Sequence, residues 1–180
     1  MLRKPRYYAV FDTETTGLLN SKTSDPEKQP QIIEFAGVIY DAENHEIAHT
    51  YEELFNPGKP LPEIITKITG LTDAKLAEAK PFHVAGIEDF FGRGDIAVAH
   101  NMPFDFGMLF YEYMRLGKKF VLERKVCTIE ASMHIKGRML KLQELHEELT
   151  GESFKGAHRA LADVHALARC VAEMIKKGMI

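Results

Sequence analysis

Two carboxylates stand two residues apart where the first β-rich run of the chain, residues 7–12, gives way to the motif FDTETTG at 11–17. Side chains alternate along a strand, so Asp12 and Glu14 are expected on the same side of a sheet, about 6 to 7 Å apart along it. Two like charges at the end of an apolar strand repel each other and lose hydration unless a cation lies between them. The spacing therefore indicates a divalent-cation site built from oxygen ligands. The alternative is an exposed strand end with two solvated acids.

A third carboxylate, Asp105, follows the apolar run 95–99 and the sequence HNMP. The run predicts a strand, and residues 104–116 predict a helix with Pro103 near its first position. Asp105 then falls in the first helical turn, where the helix dipole and the free amides favour a carboxylate. The residue is a candidate ligand at the same site, and simple helix capping is the alternative.

A fourth acid lies in the motif HRALADVHAL at 158–167, within the helix predicted over 157–177. Five positions separate His158 from Asp163, which is about 140° around a helix, so the two side chains cannot share one helix face. Both can face one site if His158 precedes the body of the helix. An exposed histidine and an exposed aspartate beside an apolar stripe are the alternative.

The elements that must position these residues change character along the chain. Apolar and alternating runs predict strands at 7–12, 31–40, 46–55, 95–99 and 126–128. Helical periodicity predicts helices at 62–68, 73–79, 82–91, 104–116, 140–149 and 157–177. The polar, turn-rich segment 19–30 is predicted to be a mobile loop. Three antiparallel strands followed by alternating helices and strands predict an α/β fold with a mixed β-sheet flanked by α-helices.

Composition restricts the kind of partner. The 180 residues include 23 Lys and Arg against 26 Asp and Glu, for a net charge of −3, so no broad cationic surface is expected. An anionic substrate would then need a localised device such as a metal ion. Cys127 and Cys170 are far apart and indicate a reducing compartment. With no signal-peptide core and no apolar run of about 18 residues, the sequence predicts a cytoplasmic protein without a membrane partner.

The three motifs occur in the order FDTETTG, HNMPFDFGML and HRALADVHAL, with QIIEFAGVIYD at 31–41 and ITGLT at 68–72 between them. In this the chain resembles the DnaQ-like 3′→5′ exonucleases of the DEDDh type, whose best-known member is the proofreading subunit of bacterial DNA polymerase III. The likeness extends over about residues 7–174. It implies one exonuclease domain spanning 1–180 with a ribonuclease-H-like mixed sheet of three antiparallel strands followed by parallel additions.

The resemblance also implies a reaction. Terminal phosphodiester bonds of single-stranded ends would be hydrolysed to nucleoside 5′-monophosphates with two divalent metal ions, Mg²⁺ or in its place Mn²⁺. The acids that match the family's metal ligands are Asp12, Glu14, Asp105 and Asp163, and His158 matches its general base. The residues implied to contact the terminal nucleotide are Thr13, Thr15, Thr16, Gly17, Leu18, Asn101 and Phe104. Core packing is the alternative role for Leu18 and Phe104. Arg159 and Lys141 are candidate phosphate contacts or solvated surface cations.

Substrate and partners stay open at this stage. The motifs favour DNA ends, in a proofreading role beside a polymerase subunit or as a homodimer. An RNA-processing or oligoribonucleotide-degrading exonuclease is the alternative, because the choice of sugar depends on the pocket around the 2′-hydroxyl. A noncatalytic binding module on the same scaffold would be expected to lose acids, and none of the four is missing.

Overall fold

The computed structural model describes residues 4–154 and 159–180. Its described part contains one five-stranded sheet with the strand order β3-β2-β1-β4-β5. The strands are β1 (Tyr7–Thr15), β2 (Ile32–Asp41), β3 (Glu46–Leu54), β4 (Ile96–Ala99) and β5 (Lys125–Cys127). All five predicted strands are present, and β1 extends three residues beyond its predicted end, through the acidic motif.

Helices follow the first three strands and alternate with the last two. They are α1 (Glu63–Thr69), α2 (Asp73–Leu76), α3 (Ala85–Gly92), α4 (Met102–Arg115), α5 (Thr128–Lys136), α6 (Leu142–Thr150) and α7 (Ala160–Lys176). Six of them were predicted, and α5 was not. Within residues 4–154 and 159–180, no helix combines the length and the apolar character that a membrane crossing requires.

The sheet is mixed, as predicted. β1 pairs antiparallel with β2, which pairs antiparallel with β3. β4 lies parallel to β1 on its other side, and β5 lies parallel to β4. The carboxyl ends of β1, β4 and β5 therefore meet at one edge of the sheet. A bulge between Glu14 and Thr15 ends the regular pairing of β1 there, and bulges of this kind re-aim side chains next to functional sites.

One face of the sheet packs against α3 and α4. Phe11 and Phe35 lie 5.8 Å apart between ring centroids, and Phe90 meets Phe35 edge to face at 5.5 Å. A Cβ atom on Gly37 would stand 2.3 Å from Cζ of Phe90, so only glycine lets this ring approach the strand. These aromatic contacts fix α3 on the sheet.

The opposite face packs against α7. Tyr8 and Val10 of β1 share a buried cluster with Val164 and Leu167 of α7. Because side chains alternate along a strand, the next residues of this face after Val10 are Asp12 and Glu14. The apolar stripe of α7 therefore brings the first turn of that helix towards the two acids.

The segment 19–30, predicted to be mobile, is instead tied down by hydrogen bonds. The Arg115 guanidinium donates to the carbonyl oxygens of Pro26, Gln29 and Pro30 at 2.6, 2.9 and 3.0 Å. Glu112, 2% exposed, pairs with Arg115 at 2.9 Å. These anchors lie some 80 residues beyond the loop, so its polar composition alone does not reveal them.

Replacing Arg115 with methionine is expected to release this loop. The change leaves the Glu112 carboxylate buried without its cation and removes three carbonyl contacts, so we expect the free energy of unfolding to fall by about 3 kcal/mol. Amide exchange in 19–30 should accelerate, as measured by hydrogen-exchange mass spectrometry. Arg93→Met removes the exposed Arg93–Asp89 pair and serves as the control, with a change below about 1 kcal/mol. Unchanged amide exchange in 19–30 of Arg115→Met would contradict the role of Arg115 in holding this loop.

Candidate active site

Three acids converge between the end of β1 and the first turn of α7. Asp12, Glu14 and Asp163 each offer a carboxylate oxygen, and these oxygens all lie within 4.8 Å of one another. Asp163 is 9% exposed, and its backbone N–H donates to the carbonyl of Arg159 at 3.0 Å, within the first helical turn. Alternation along β1 thus places the first two acids on one side, as predicted, and the packing of α7 adds the third.

The fourth acid, Asp105, approaches from the first turn of α4. Its Oδ1 accepts hydrogen bonds from the backbone N–H of Thr13 at 3.1 Å and from the Thr13 hydroxyl at 2.7 Å. Asp105 is 2% exposed and lines the same cleft as Asp12 and Asp163. Thr13, which lies between Asp12 and Glu14 on β1, therefore sets the orientation of this carboxylate.

Burial and mutual repulsion raise the proton affinity of these acids. Burial raises the pKa of Asp12 well above its usual range, and the carboxylates of Asp105 and Glu14 raise it further. Burial, followed by the charges of Asp163 and Glu34, raises the pKa of Glu14 to about 8. Burial raises the pKa of Asp105 to about 7, although the hydrogen bonds from Thr13 oppose that shift. Without a neutralising group, the site holds protons at neutral pH.

A divalent cation fits this donor set. Its ligand atoms are carboxylate oxygens, the donors that Mg²⁺ and Mn²⁺ prefer. Three of them are already within one coordination sphere's reach of each other. Burial and repulsion between carboxylates raise the pKa values of Asp12 and Glu14, and a bound cation would relieve both costs.

Asp12, Asp105 and Asp163 line a cleft of about 730 Å³ whose other wall is largely apolar. That wall is formed by Phe104, Ile129, Met139, Leu140 and Leu142, with the polar side chains of Asn101, Lys141 and Gln143 among them. The His100 ring holds the wall in place, with Nδ1 2.9 Å from the Thr128 hydroxyl oxygen and Nε2 3.1 Å from the Leu140 carbonyl oxygen. The cleft thus combines a carboxylate cluster on one side with a largely apolar wall on the other.

The predicted nucleotide contacts fall into two groups. Thr13, Asn101 and Phe104 line the cleft beside the acids. The Thr15 hydroxyl donates to the carbonyl of Gly17 at 2.7 Å, and that of Thr16 accepts from the backbone N–H of Gln31 at 2.9 Å.

Leu18 is 84% exposed. Its neighbour Leu19 packs on the core, against Gly107, where a Cβ atom would stand 2.6 Å from Cδ1 of Leu19. The side chain of Leu18 therefore extends into solvent, next to Leu19, which packs on the core. This excludes the alternative of core packing for Leu18.

Two sequence-based assignments have other outcomes. His158 lies outside the described residues. Arg159, a candidate phosphate contact, is instead engaged within the protein: its guanidinium lies 3.0 Å from Oε1 of Glu34 and 3.7 Å from Oε1 of Glu52. An arginine already bound to a buried carboxylate is poorly placed to bind phosphate, so that assignment is corrected.

Sequence reasoning missed Glu34 and the role of His100. Glu34 is fully buried in β2, a strand whose ten residues are all buried, and it stands opposite Glu14 in the register. The indication in the sequence was the single acid within the apolar run QIIEFAGVIY, because a buried charge requires a partner. The motif HNMPFDFGML contains His100 but does not indicate its hydrogen bonds with Thr128 and Leu140.

The fold matches solved exonuclease structures. The nuclease domain of 3′hExo, a DEDDh family member solved bound to rAMP, superposes with a TM-score of 0.81 over 99% of this chain and 96% of that one, at 18% identity. Cell-death related nuclease 4 superposes with a TM-score of 0.76 over 96% of this chain and 64% of that one, at 18% identity. These likenesses establish the ribonuclease-H-like fold class.

The family follows from the sequence. The RNase_T exonuclease family model matches residues 9–171, and the chain belongs to this family, in its DnaQ-like DEDDh branch. Among curated relatives, the 3′-5′ exonuclease DinG of Bacillus subtilis is 31% identical over 94% of this chain and 18% of its own length. The PolC-type DNA polymerase III of Listeria innocua is 33% identical over 94% of this chain and 11% of its own length. The chain thus spans less than a fifth of either relative.

Proposed function

We propose that this chain is a 3′→5′ exonuclease that shortens single-stranded DNA ends and releases nucleoside 5′-monophosphates. The observation that carries the proposal is the group of three carboxylates from β1 and α7 whose oxygens lie within 4.8 Å of one another, in a chain of the exonuclease family. The family model covers most of the chain, which supports a single domain over 1–180 with its core at about 7–174.

The four acids would hold two divalent cations, Mg²⁺ with Mn²⁺ as substitute. When bound, such ions lower the pKa of an attacking water and stabilise charge on a phosphate and on the leaving 3′ oxygen. Asp12 and Glu14 would supply oxygens from β1, and Asp163 would supply one from α7. Asp105, oriented by Thr13, would supply its oxygen from α4. His158 would accept the proton of the water, because a neutral imidazole is available near pH 7.

The cleft offers a path for the strand. Phe104, Leu18 and the backbone of 13–17 would hold the terminal nucleotide, with Asn101 donating to it. Met139 is 66% exposed on the cleft wall and would stack on a base, while Lys141 beside it would meet a phosphate. Stacking contributes about 1 to 3 kcal/mol per base and tolerates any base, which suits an enzyme that removes nucleotides in sequence.

DNA is favoured because the polymerase relatives are above 30% identical to the chain. RNA is the second candidate. The 3′hExo domain was solved with rAMP, and another 3′-exonuclease neighbour with a TM-score of 0.78 was solved in recognition of a histone mRNA stem-loop, both at 18% identity. The PolC-type relatives also suggest a polymerase partner, and the alternative is a homodimer. Size-exclusion chromatography with light scattering would separate a dimer from a monomer.

Matched substrates test the proposal directly. With 5′-labelled oligonucleotides and Mg²⁺, we expect shortening from the 3′ end in single-nucleotide steps, faster on single-stranded DNA and on a mispaired end than on RNA or a dinucleotide. Excess chelator should abolish the reaction, and added Mn²⁺ should restore it. A faster reaction on RNA would select the second candidate. Binding without any shortening in Mg²⁺ or Mn²⁺ would contradict exonuclease function altogether.

A further inference from the structure

An ion pair between half-exposed Arg159 and fully buried Glu34 connects the start of α7 to β2. Glu34 is 0% exposed, and its Oε1 lies 3.0 Å from an Arg159 guanidinium nitrogen. Its Oε2 accepts from the backbone N–H of Ala160 at 3.3 Å and lies 3.4 Å from Nε of Arg159. One carboxylate therefore binds both the side chain that precedes α7 and the first amide of that helix.

This pair lies directly beside the proposed metal ligands. In the register of β1 and β2, Glu34 stands opposite Glu14. The carbonyl of Arg159 accepts the backbone N–H of Asp163 at 3.0 Å. The contact thus links β2, at the position paired with one proposed ligand on β1, to the helical turn that carries another. Arg159 is also the residue after His158 in the sequence.

The apolar stripe of α7 does not fix its first turn by itself. Val164, Leu167 and Val171 pack on the sheet, but apolar contacts are non-directional and do not by themselves set the orientation of the first turn. A metal site requires more, since ligand distances must hold within about 0.2 Å. A guanidinium held by a buried carboxylate supplies the missing directional constraint.

We propose that Glu34 and Arg159 are positioning residues that set the distance between Asp163 and the two acids of β1, and so determine the affinity for the divalent cation. This inference rests on the proposed metal site. Neither residue needs to touch the cation or the nucleic acid. Residues that orient metal ligands typically change metal affinity or activity by about 10- to 100-fold when altered.

The chain contains a matched control. Arg6 and Asp41 form a second arginine–carboxylate pair at 2.7 Å, in which the Asp41 side chain is 3% exposed. Asp41 lies at the other end of β2, opposite Tyr7. Asp41→Asn therefore breaks a comparable arginine–carboxylate pair at the other end of the same strand, far from the carboxylate cluster.

Mn²⁺ binding, measured by electron paramagnetic resonance without nucleic acid, tests the inference independently of catalysis. Glu34→Gln keeps an oxygen that can accept from Ala160, so the fold should persist, but Mn²⁺ should bind about 10-fold more weakly. Arg159→Gln should weaken binding similarly, and Arg159→Lys should recover part of it. The double variant should be no weaker than the worse single variant, because both changes remove one interaction.

The activity of the same variants supplies a second measurement. In Glu34→Gln, the Mg²⁺ concentration for half-maximal rate should rise about 10-fold, with little change in KM for the oligonucleotide. Asp41→Asn should lower the melting temperature and leave Mn²⁺ affinity unchanged. Equal losses of melting temperature in Glu34→Gln and Asp41→Asn, with Mn²⁺ affinity unchanged in both, would overturn the inference. A wild-type chain that binds no Mn²⁺ would overturn the proposed metal site as well.

Discussion

Asp12→Asn is expected to reduce the release of mononucleotides by about 10³-fold or more, equivalent to about 4 kcal/mol of barrier. Asparagine has almost the same shape but lacks the charge that a divalent cation requires. Asp12 also interacts with every other acid of the cluster: after burial, the charges of Asp105, Glu14 and Asp163 raise its pKa. The measurement is the rate of shortening of a 5′-labelled oligonucleotide in Mg²⁺.

The same variant should fold at least as well as the wild type. In chelator at pH 8, removing one of several adjacent carboxylates relieves repulsion, so the melting temperature of Asp12→Asn should equal or exceed that of the wild type. Asp41→Asn removes a buried carboxylate at the other end of β2, far from the cleft, and should retain near wild-type rates. Retention of a tenth of the activity by Asp12→Asn would rule out its role as a metal ligand.

The geometry around Asp12 and Glu14 was accessible from the sequence because it depends on local rules. The two-residue spacing places both side chains on one face of β1, and the carboxylate oxygens do approach within 4.8 Å. The order of the strands also follows from local signs, since hairpin spacing predicts the antiparallel part and intervening helices predict the parallel part. Asp163 lies with these acids, as predicted. The angle of about 140° between His158 and Asp163 around a helix could not show how α7 is oriented on the sheet.

Contacts between distant residues were not accessible in this way. Glu34 and Arg159 are 125 positions apart, and Arg115 reaches a loop more than 80 positions earlier. A buried charged residue requires a partner, but the sequence does not indicate which residue provides it. The helix α5 was missed for a different reason: only Thr128 and Ser132 of its nine residues are fully buried, so it shows no apolar stripe.

These long-range contacts share one arrangement. In each, an arginine donates hydrogen bonds to oxygens of another segment: the carbonyls of 26–30 for Arg115 and the Glu34 carboxylate for Arg159. Each arginine lies next to a segment of the proposed active site. Arg115 secures the loop that follows Leu18, and Arg159 secures the turn that carries Asp163. The motifs supply the reactive groups, whereas residues outside the motifs or at their margins hold the segments that present them.

The free energy of unfolding of the chelated protein should decrease as pH rises from about 5 to about 8. In the folded chain the pKa of Glu14 is about 8 and that of Asp105 about 7, against about 4 for both residue types in an unfolded chain. The folded state therefore binds more protons across this interval. Stability then falls with pH, by up to about 1.4 kcal/mol per pH unit for each excess proton.

Two carboxylates with lowered pKa values do not contribute to this trend. Contacts with Arg6 lower the pKa of Asp41 to about 2, and contacts with Arg138 do the same for Glu144. A carboxylate with a lowered pKa contributes stability that is complete above about pH 5 and is lost only in acid. Burial raises the pKa of Glu52 and of Glu112 as well, which adds to the trend. Burial lowers the pKa of His100, which opposes the trend at the acid end of the interval. Comparison with Asp12→Asn therefore isolates the contribution of the acids of the cleft.

Thermal unfolding followed by circular dichroism at pH 5.5, 6.5, 7.5 and 8, in chelator and in excess Mg²⁺, measures the effect. In chelator the melting temperature should drop by several degrees across the series, at about 2 to 4 °C per kcal/mol for a chain of this size. Excess Mg²⁺ should flatten the series, because the cation replaces the protons that the acids otherwise hold. Asp12→Asn should show a smaller drop in chelator than the wild type. A melting temperature in chelator that stays constant from pH 5.5 to 8 would show that the four acids do not share one buried, repulsive site.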